Sequence, residues 1–272
     1  MNAPEILDLV IPEQFRGPPR SANGGYACGI VARRLQQRAG GPLADAPITV
    51  SLRSPPPLDV PMRVAPDPRH ADALHLLHGD TLVAEGARAA PGTLDMRVPP
   101  APSHAAAAQA LATSPAFWPR ANTLIAGGTG VHPVCVCCGE DLTPETGLRV
   151  QAAAVPGFEG VAAAWTPHAA FDDGSGLLAP ELIWTALDCP GQFAWLERDP
   201  GGEIRNHALL GRFTVRIDAP VRIGEACVVT GWRLEEDGRK FGAGTALFGA
   251  DGSLRAVGRA LWVRFDPSRM RG

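Results

Sequence analysis

The stretch PELIWTALDC at 180–189 sets the first chemical question. Pro180 suits the first turn of a helix, where its missing N–H is not needed. Leu182, Ile183, Trp184, Ala186 and Leu187 make the rest of that helix mostly apolar. Asp188 falls near its end, where a carboxylate meets the negative pole of the helix dipole and gains nothing from it. Glu181, Thr185, Asp188 and Gln192 recur at i, i+4, i+7 and i+11, which is one stripe of a helix. Facing water, the stripe is the wet side of an amphipathic helix. Lining a cleft, it does chemistry: partial burial raises the pKa of Asp188 and equips it to activate water, with Thr185 to orient the water and Glu181 as a second acid.

A second set is Asn23-Gly24-Gly25-Tyr26. Asn23 is a good helix N-cap. Glycines at a helix start let a ligand approach the free N–H groups closely. Arg20, three residues upstream, is placed to meet a phosphate. A third set is HPVCVCCGED, with His132, Cys135, Cys137 and Cys138. Cys135 and Cys138 have the spacing of half a zinc site, but no second Cys-x2-Cys exists and His132 supplies only a third ligand. The expectation is a tight loop with buried thiols, no metal and no organic cofactor. No phosphate loop, serine elbow or dinucleotide fingerprint occurs in proper context.

Positioning these groups needs elements, and the elements recur. TVSLRSPPPLDVPMRV at 49–64 is echoed by TVRIDAPVRIGEACVV at 214–229, with Thr49 on Thr214 at an offset of 165. GDTLVAEGARA at 79–89 is echoed by DGSLRAVGRAL at 251–261, with Gly86 on Gly258 at an offset of 172. The seven-residue drift fits a longer hairpin in the second copy. Spacing near half the chain length means duplication of a domain, not a solenoid. Each copy opens with a strand region: EILDLVIPE in the first, GLRVQAAAV and GVAAAWTP in the second. One helix follows, at 24–37 and at 180–189. Alternating strands come next, with turn signals at 78–80, 235–240 and 250–252. The Pro- and Ala-rich segment 96–122 reads as a linker with a short helix over HAAAAQALA. One helix and several antiparallel strands, twice over, is α+β architecture.

The bulk numbers exclude several classes. The chain has 272 residues, 45% hydrophobic and 19% charged, a globular composition. Net charge is −3 with no basic block, so neither nucleic acid nor an anionic membrane surface is an expected partner. No apolar run approaches the roughly 20 residues that span a bilayer, and MNAPEILDLVIPEQF is no secretory signal. Six cysteines are expected to be free thiols in a cytoplasmic protein.

The pattern resembles the double-hot-dog, thioesterase-like superfamily. The residues that carry the likeness are Asn23-Gly24-Gly25-Tyr26 and TVSLRSPPPLD in the first half, then Asp188, RIDAPVRIGE, the GRK turn at 238–240 and AVGRALWVRF in the second. The resemblance implies two tandem hot-dog domains, 1–100 and 130–268, joined by a linker at 101–129, each a long central helix wrapped by a curved antiparallel sheet. It implies hydrolysis of an acyl thioester of coenzyme A or acyl carrier protein. Gly24 and Gly25 would polarise the carbonyl beside Asn23, and Asp188 would activate water. Trp184 and Trp165 would accommodate the acyl chain, with Glu181, Arg20 and Tyr26 beside it. Association into a homodimer follows by analogy. The alternatives are an acyl-thioester hydratase or dehydratase, with His168 beside Asp172 and Asp173, and an acyl binder without turnover. The first copy has Ala32 eight residues after Gly24; the second lacks the Gly-Gly opening but has Asp188 eight after Pro180. Each half thus keeps one part of a site.

Overall fold

A computed structural model describes residues 7–39, 46–70, 72–113, 133–196 and 207–265. The elements run β1 (Leu7–Leu9), α1 (Gly24–Ala39), β2 (Ile48–Leu52), β3 (Met62–Pro66), β4 (Ala73–His78), β5 (Thr81–Arg88) and α2 (His104–Thr113). They continue with β6 (Ala153–Ala154), β7 (Val161–Trp165), α3 (Pro180–Phe193), β8 (Ala208–Ile217), β9 (Cys227–Asp237), β10 (Lys240–Phe248) and β11 (Leu254–Arg264). The architecture is α+β. All eleven strands form one antiparallel sheet in the order β1-β3-β4-β5-β2-β8-β11-β10-β9-β7-β6. Among the described residues, no helix is long and apolar enough to cross a membrane.

The strand order reads nearly the same from either end, and its centre is the β2–β8 pair. There Thr49 lies opposite Thr214, the two residues that the 165-residue echo aligns. Their hydroxyls are 2.8 Å apart. Ile48 and Val50, with Phe213 and Val215, turn the other way into the core, as strand alternation requires. Thr214 is almost wholly buried. Thr49→Val therefore strands a buried hydroxyl and is expected to cost about 1–2 kcal/mol. The double change Thr49→Val with Thr214→Val removes both partners and should lose much less. Thermal denaturation of the three chains checks this; equal losses for the single and double variants would show that the seam does not depend on the pair.

The turn signals fall where hairpins close. Gly79, Gly238 and Gly252 take positive φ at the β4–β5, β9–β10 and β10–β11 turns, a backbone state that glycine adopts without penalty. β9 and β10 are 11 and 9 residues against 5 and 6 for β3 and β4, which accounts for the drift between the echoes. The segment GLRVQAAAV departs from expectation, for only Ala153–Ala154 is strand. Leu148 and Val150 instead donate to the carbonyls of Val136 and Cys137, so the cysteine loop takes the backbone bonds a sheet neighbour would have taken. The linker helix exists as α2, whose Ala107 and Ala110 pack on Ala153, Ala162 and Val228. Residues 114–132, the rest of the linker and His132 included, lie outside the described residues.

Helices α1 and α3 share the main core and lie against each other. A Cβ built on Gly25 would sit 2.6 Å from the Trp184 carbonyl oxygen, and one on Gly29 2.7 Å from the Glu181 Cα. Rising numbers on α1 meet falling numbers on α3, so the helices run antiparallel. Glycines one turn apart let their backbones approach closely.

Candidate functional site

The antiparallel contact answers the question that Asp188 poses. Helix α3 runs on past the expected end at 189 to Phe193, so Asp188 sits five residues before its C-terminus, while its side chain lies at the N-terminus of α1. Its Oδ2 accepts the Gly25 N–H at 3.0 Å. An acid that gains nothing from α3 thus meets the positive end of α1. The stripe is buried rather than wet: Thr185, Asp188 and Gln192 are 0%, 3% and 5% exposed. Asp188 Oδ1 is buried without a hydrogen-bond partner among the described residues. Burial pushes the carboxyl well above the ordinary carboxylate range, and charge on Cys137 adds to this, while the Gly25 N–H opposes it.

Asn23 caps α1 by accepting the Tyr26 N–H at 2.9 Å through its Oδ1. Its carbonyl takes the Ala27 N–H, the first bond of the helix. Its Nδ2 lies 3.7 Å from the Cys135 sulfur. The Gly24 N–H opens α1, where the first amides have no acceptor within their own helix. Asn23, Gly24 and Asp188 all line a pocket of about 430 Å³ at the join between β2 and β8. Its apolar wall comes from Leu52, Leu210, Trp262 and Val263, on β2, β8 and β11. Arg20 and Arg53 are exposed beside it. Arg53 pairs with Glu85, whereas Arg20 has no ion pair among the described residues.

The other expected site residues lie elsewhere. Thr185 donates to the Glu181 carbonyl at 2.8 Å, a bond within its own helix, and does not reach this pocket. Trp184 stands edge-on to Phe213, with ring centroids 5.4 Å apart, inside the core. Trp165 donates to the Leu148 carbonyl at 2.7 Å. Neither indole lines the pocket wall, which is built from β2, β8 and β11 instead. Gly25 is consumed by packing on α3 and by its bond to Asp188. Tyr26 stacks on Phe15 at 4.0 Å and, with Glu181, borders a separate hollow of about 250 Å³. Glu181 pairs with Arg33 at 2.6 Å across the two helices. His168 accepts the Ala170 N–H at a turn, and Asp172 and Asp173 accept amides of their own loop, so this segment is a solvated turn.

Missed from sequence were Cys189, Gln192 and Trp262, which all line the pocket. Gln192 was legible as part of the stripe, and Cys189 as the neighbour of Asp188. Nothing local marks Trp262; only the pairing of β8 with β11 brings it there.

No protein-family model matches the sequence, and no curated protein is similar to it in sequence. Solved structures match over nearly the full length. One is a protein provisionally named a thioesterase, from Novosphingobium aromaticivorans, with 12% identity, 96% of both chains covered and a TM-score of 0.59. Another is a tesB protein of Mycobacterium avium subs paratuberculosis, with 12% identity, 96% of this chain and 93% of that one covered and a TM-score of 0.58. A third is a conserved protein of unknown function with a hot dog fold from Alicyclobacillus acidocaldarius, with 11% identity, 97% and 96% covered and a TM-score of 0.52. The chain thus has the hot-dog fold. At this identity the likeness establishes fold and not activity.

Proposed function

We propose that the protein hydrolyses an acyl thioester of coenzyme A or acyl carrier protein in the pocket at the β2–β8 join. We read residues 1–100 and 130–268 as two hot-dog units of a duplicated chain, sharing this one composite site. The observation that carries the reading is Asp188: a buried carboxylate, one oxygen held by the Gly25 N–H and the other without a partner among the described residues, beside Gly24 at the start of α1 on the same pocket.

The substrate carbonyl oxygen would approach the Gly24 N–H and the positive end of α1. Asp188 Oδ1 would take a proton from water as the water oxygen bonds to the carbonyl carbon. The oxyanion would be held by Gly24 N–H and the α1 dipole. Collapse breaks the carbon–sulfur bond, and the leaving thiolate takes the proton from Asp188. Leu52, Leu210, Trp262 and Val263 would hold the acyl chain. None of the six cysteines is in a disulfide, which supports a reducing, cytoplasmic location.

The test is release of free thiol from short, medium, long and aromatic acyl-CoA esters and from acyl carrier protein esters, with enoyl absorbance followed in parallel. Thiol release supports hydrolysis. A change in enoyl absorbance without thiol release would replace it with hydration. Neither signal on any ester, with ligand-induced stabilisation, would replace it with binding alone. Arg20 is offered to the coenzyme phosphates, so Arg20→Ala is expected to raise KM for acyl-CoA about 5-fold with kcat unchanged, a loss of about 1 kcal/mol. An unchanged KM would remove Arg20 from the binding site.

A further inference from the structure

Three cysteine sulfurs converge beside the pocket. Cys135 and Cys138 belong to the loop Cys135-Val136-Cys137-Cys138, and the third is Cys189 on α3, 54 residues after Cys135. Cys135, Cys137, Cys138 and Cys189 are 4%, 0%, 0% and 6% exposed. The sulfurs of Cys135, Cys138 and Cys189 all lie within 4.8 Å of one another. Cys137, between Cys135 and Cys138 in the loop, is wholly buried beside this group.

The spacing discriminates among the uses of buried sulfur. Cys135 and Cys189 are 3.7 Å apart, far beyond the roughly 2.05 Å of a disulfide. A tetrahedral zinc with Zn–S bonds of about 2.3 Å requires sulfurs about 3.8 Å apart. The Cys135–Cys189 separation matches one edge of that tetrahedron, and the Cys138 sulfur lies within 4.8 Å of both. Thiols used only as apolar filler have no reason to converge from two distant segments onto one centre.

The loop is built to hold this arrangement. Gly139 donates to the Cys135 carbonyl at 2.7 Å and closes a tight turn over the Cys-x2-Cys. A Cβ at Gly139 would sit 2.4 Å from the Pro133 carbonyl oxygen, so the turn requires glycine. Val136 donates to Arg16, and Leu148 and Val150 clamp the loop from the other side. The Asn23 amide lies 3.7 Å from the Cys135 sulfur. An N–H donor beside a cysteine sulfur suits a metal-bound thiolate.

We propose that Cys135, Cys138 and Cys189 hold one zinc(II) ion as thiolates, with the neighbouring Cys137 moving in as the fourth ligand. This departs from the sequence-based expectation of no metal, because the third ligand is Cys189 from α3 and not His132. The ion ties the cysteine loop to α3 at the residue next to Asp188, and through Asn23 to the cap of α1. Zinc enters as the dication, the thiol protons pass to solvent, and no oxidant is required. The role is structural and independent of whether the pocket hydrolyses thioesters.

The test is metal analysis of the full chain, purified without a polyhistidine tag or chelator from zinc-supplemented cells. About one zinc per chain is expected. Replacement by cobalt(II) under anaerobic, reducing conditions should give the sulfur-to-cobalt charge-transfer band and strong visible bands of a tetrahedral thiolate site. Cys189→Ser should lose both the zinc and that spectrum. If this variant fails to fold, the wild-type cobalt spectrum and zinc content decide alone. Less than about 0.1 zinc per chain, together with no cobalt–thiolate band from the wild-type chain, would overturn the site. So would full retention of zinc by a folded Cys189→Ser.

Discussion

Asp188→Asn is expected to lower kcat/KM for thioester hydrolysis at least ~100-fold, a loss of about 2.7 kcal/mol in transition-state stabilisation, while the chain stays folded. The amide has the shape of the carboxylate. Its oxygen can still accept the Gly25 N–H, now made to Asp188 Oδ2 at 3.0 Å, so the start of α1 keeps its partner. The other position becomes an NH2 group, which cannot take a proton from water. The buried negative charge is removed, and burial opposes that charge. The melting temperature should therefore hold or rise while turnover falls, a combination that general damage to the fold does not produce. Asp188→Ala is the poorer variant, since it leaves a buried N–H without an acceptor at a cost of about 1–3 kcal/mol. The measurement is steady-state thiol release beside thermal denaturation. Wild-type turnover from a folded Asp188→Asn would end the case for this carboxylate.

Local signals carried the elements, and long-range signals carried the join. Helix α1 was legible from the Asn23 cap and the apolar spacing after it, and the hairpins from Gly79, Gly238 and Gly252. The 165-residue echo of Thr49 in Thr214 turned out to mark two strands that pair directly. The meaning of Asp188 was not legible within its own helix. Its stripe is equally good as a wet face, and only the antiparallel fit of α1 on α3 decides that it is buried. Trp184 and Trp165 attracted attention as large apolar side chains near the stripe, yet strand alternation and helix facing send both into the core. The pocket wall was hidden because strand pairing supplies it: Leu210 on β8 stands opposite Trp262 on β11, 52 residues apart by number, with no local sign of either. Cys189 was hidden for the same reason. A Cys-x2-Cys is recognisable by spacing, but a ligand delivered by a distant helix is not.

Gly25→Ala sets two effects of opposite sign against each other. Inside a helix, glycine to alanine favours the folded state by up to about 1 kcal/mol through backbone entropy. Here the added Cβ would sit 2.6 Å from the Trp184 carbonyl oxygen and 2.8 Å from the Asp188 Cβ. Both belong to the α3 backbone or its first side-chain atom, so neither can swing aside. The helices must move apart, at a cost of about 1–3 kcal/mol, and the net change is expected to be a loss of stability. Separation also lengthens the Gly25–Asp188 bond and moves the carboxylate relative to the Gly24 N–H. A misplacement of about 1 Å in a reacting group can cost about 100-fold in rate, so activity should fall by more than the fraction unfolded explains. Gly24→Ala supplies the contrast. Its Cβ meets the Leu210 Cδ2 at 2.9 Å, the far end of a flexible side chain, and the Leu210 Cβ less tightly at 3.1 Å, with no backbone atom among its nearest contacts. That variant should keep its melting temperature within a few degrees and lose activity mainly through a higher KM, because Leu210 is pushed into the pocket. Thermal denaturation and thiol release on the two variants check both halves of this expectation. A Gly25→Ala chain that melts at or above the wild-type temperature with full activity would show that α1 and α3 do not approach closely enough to build the site.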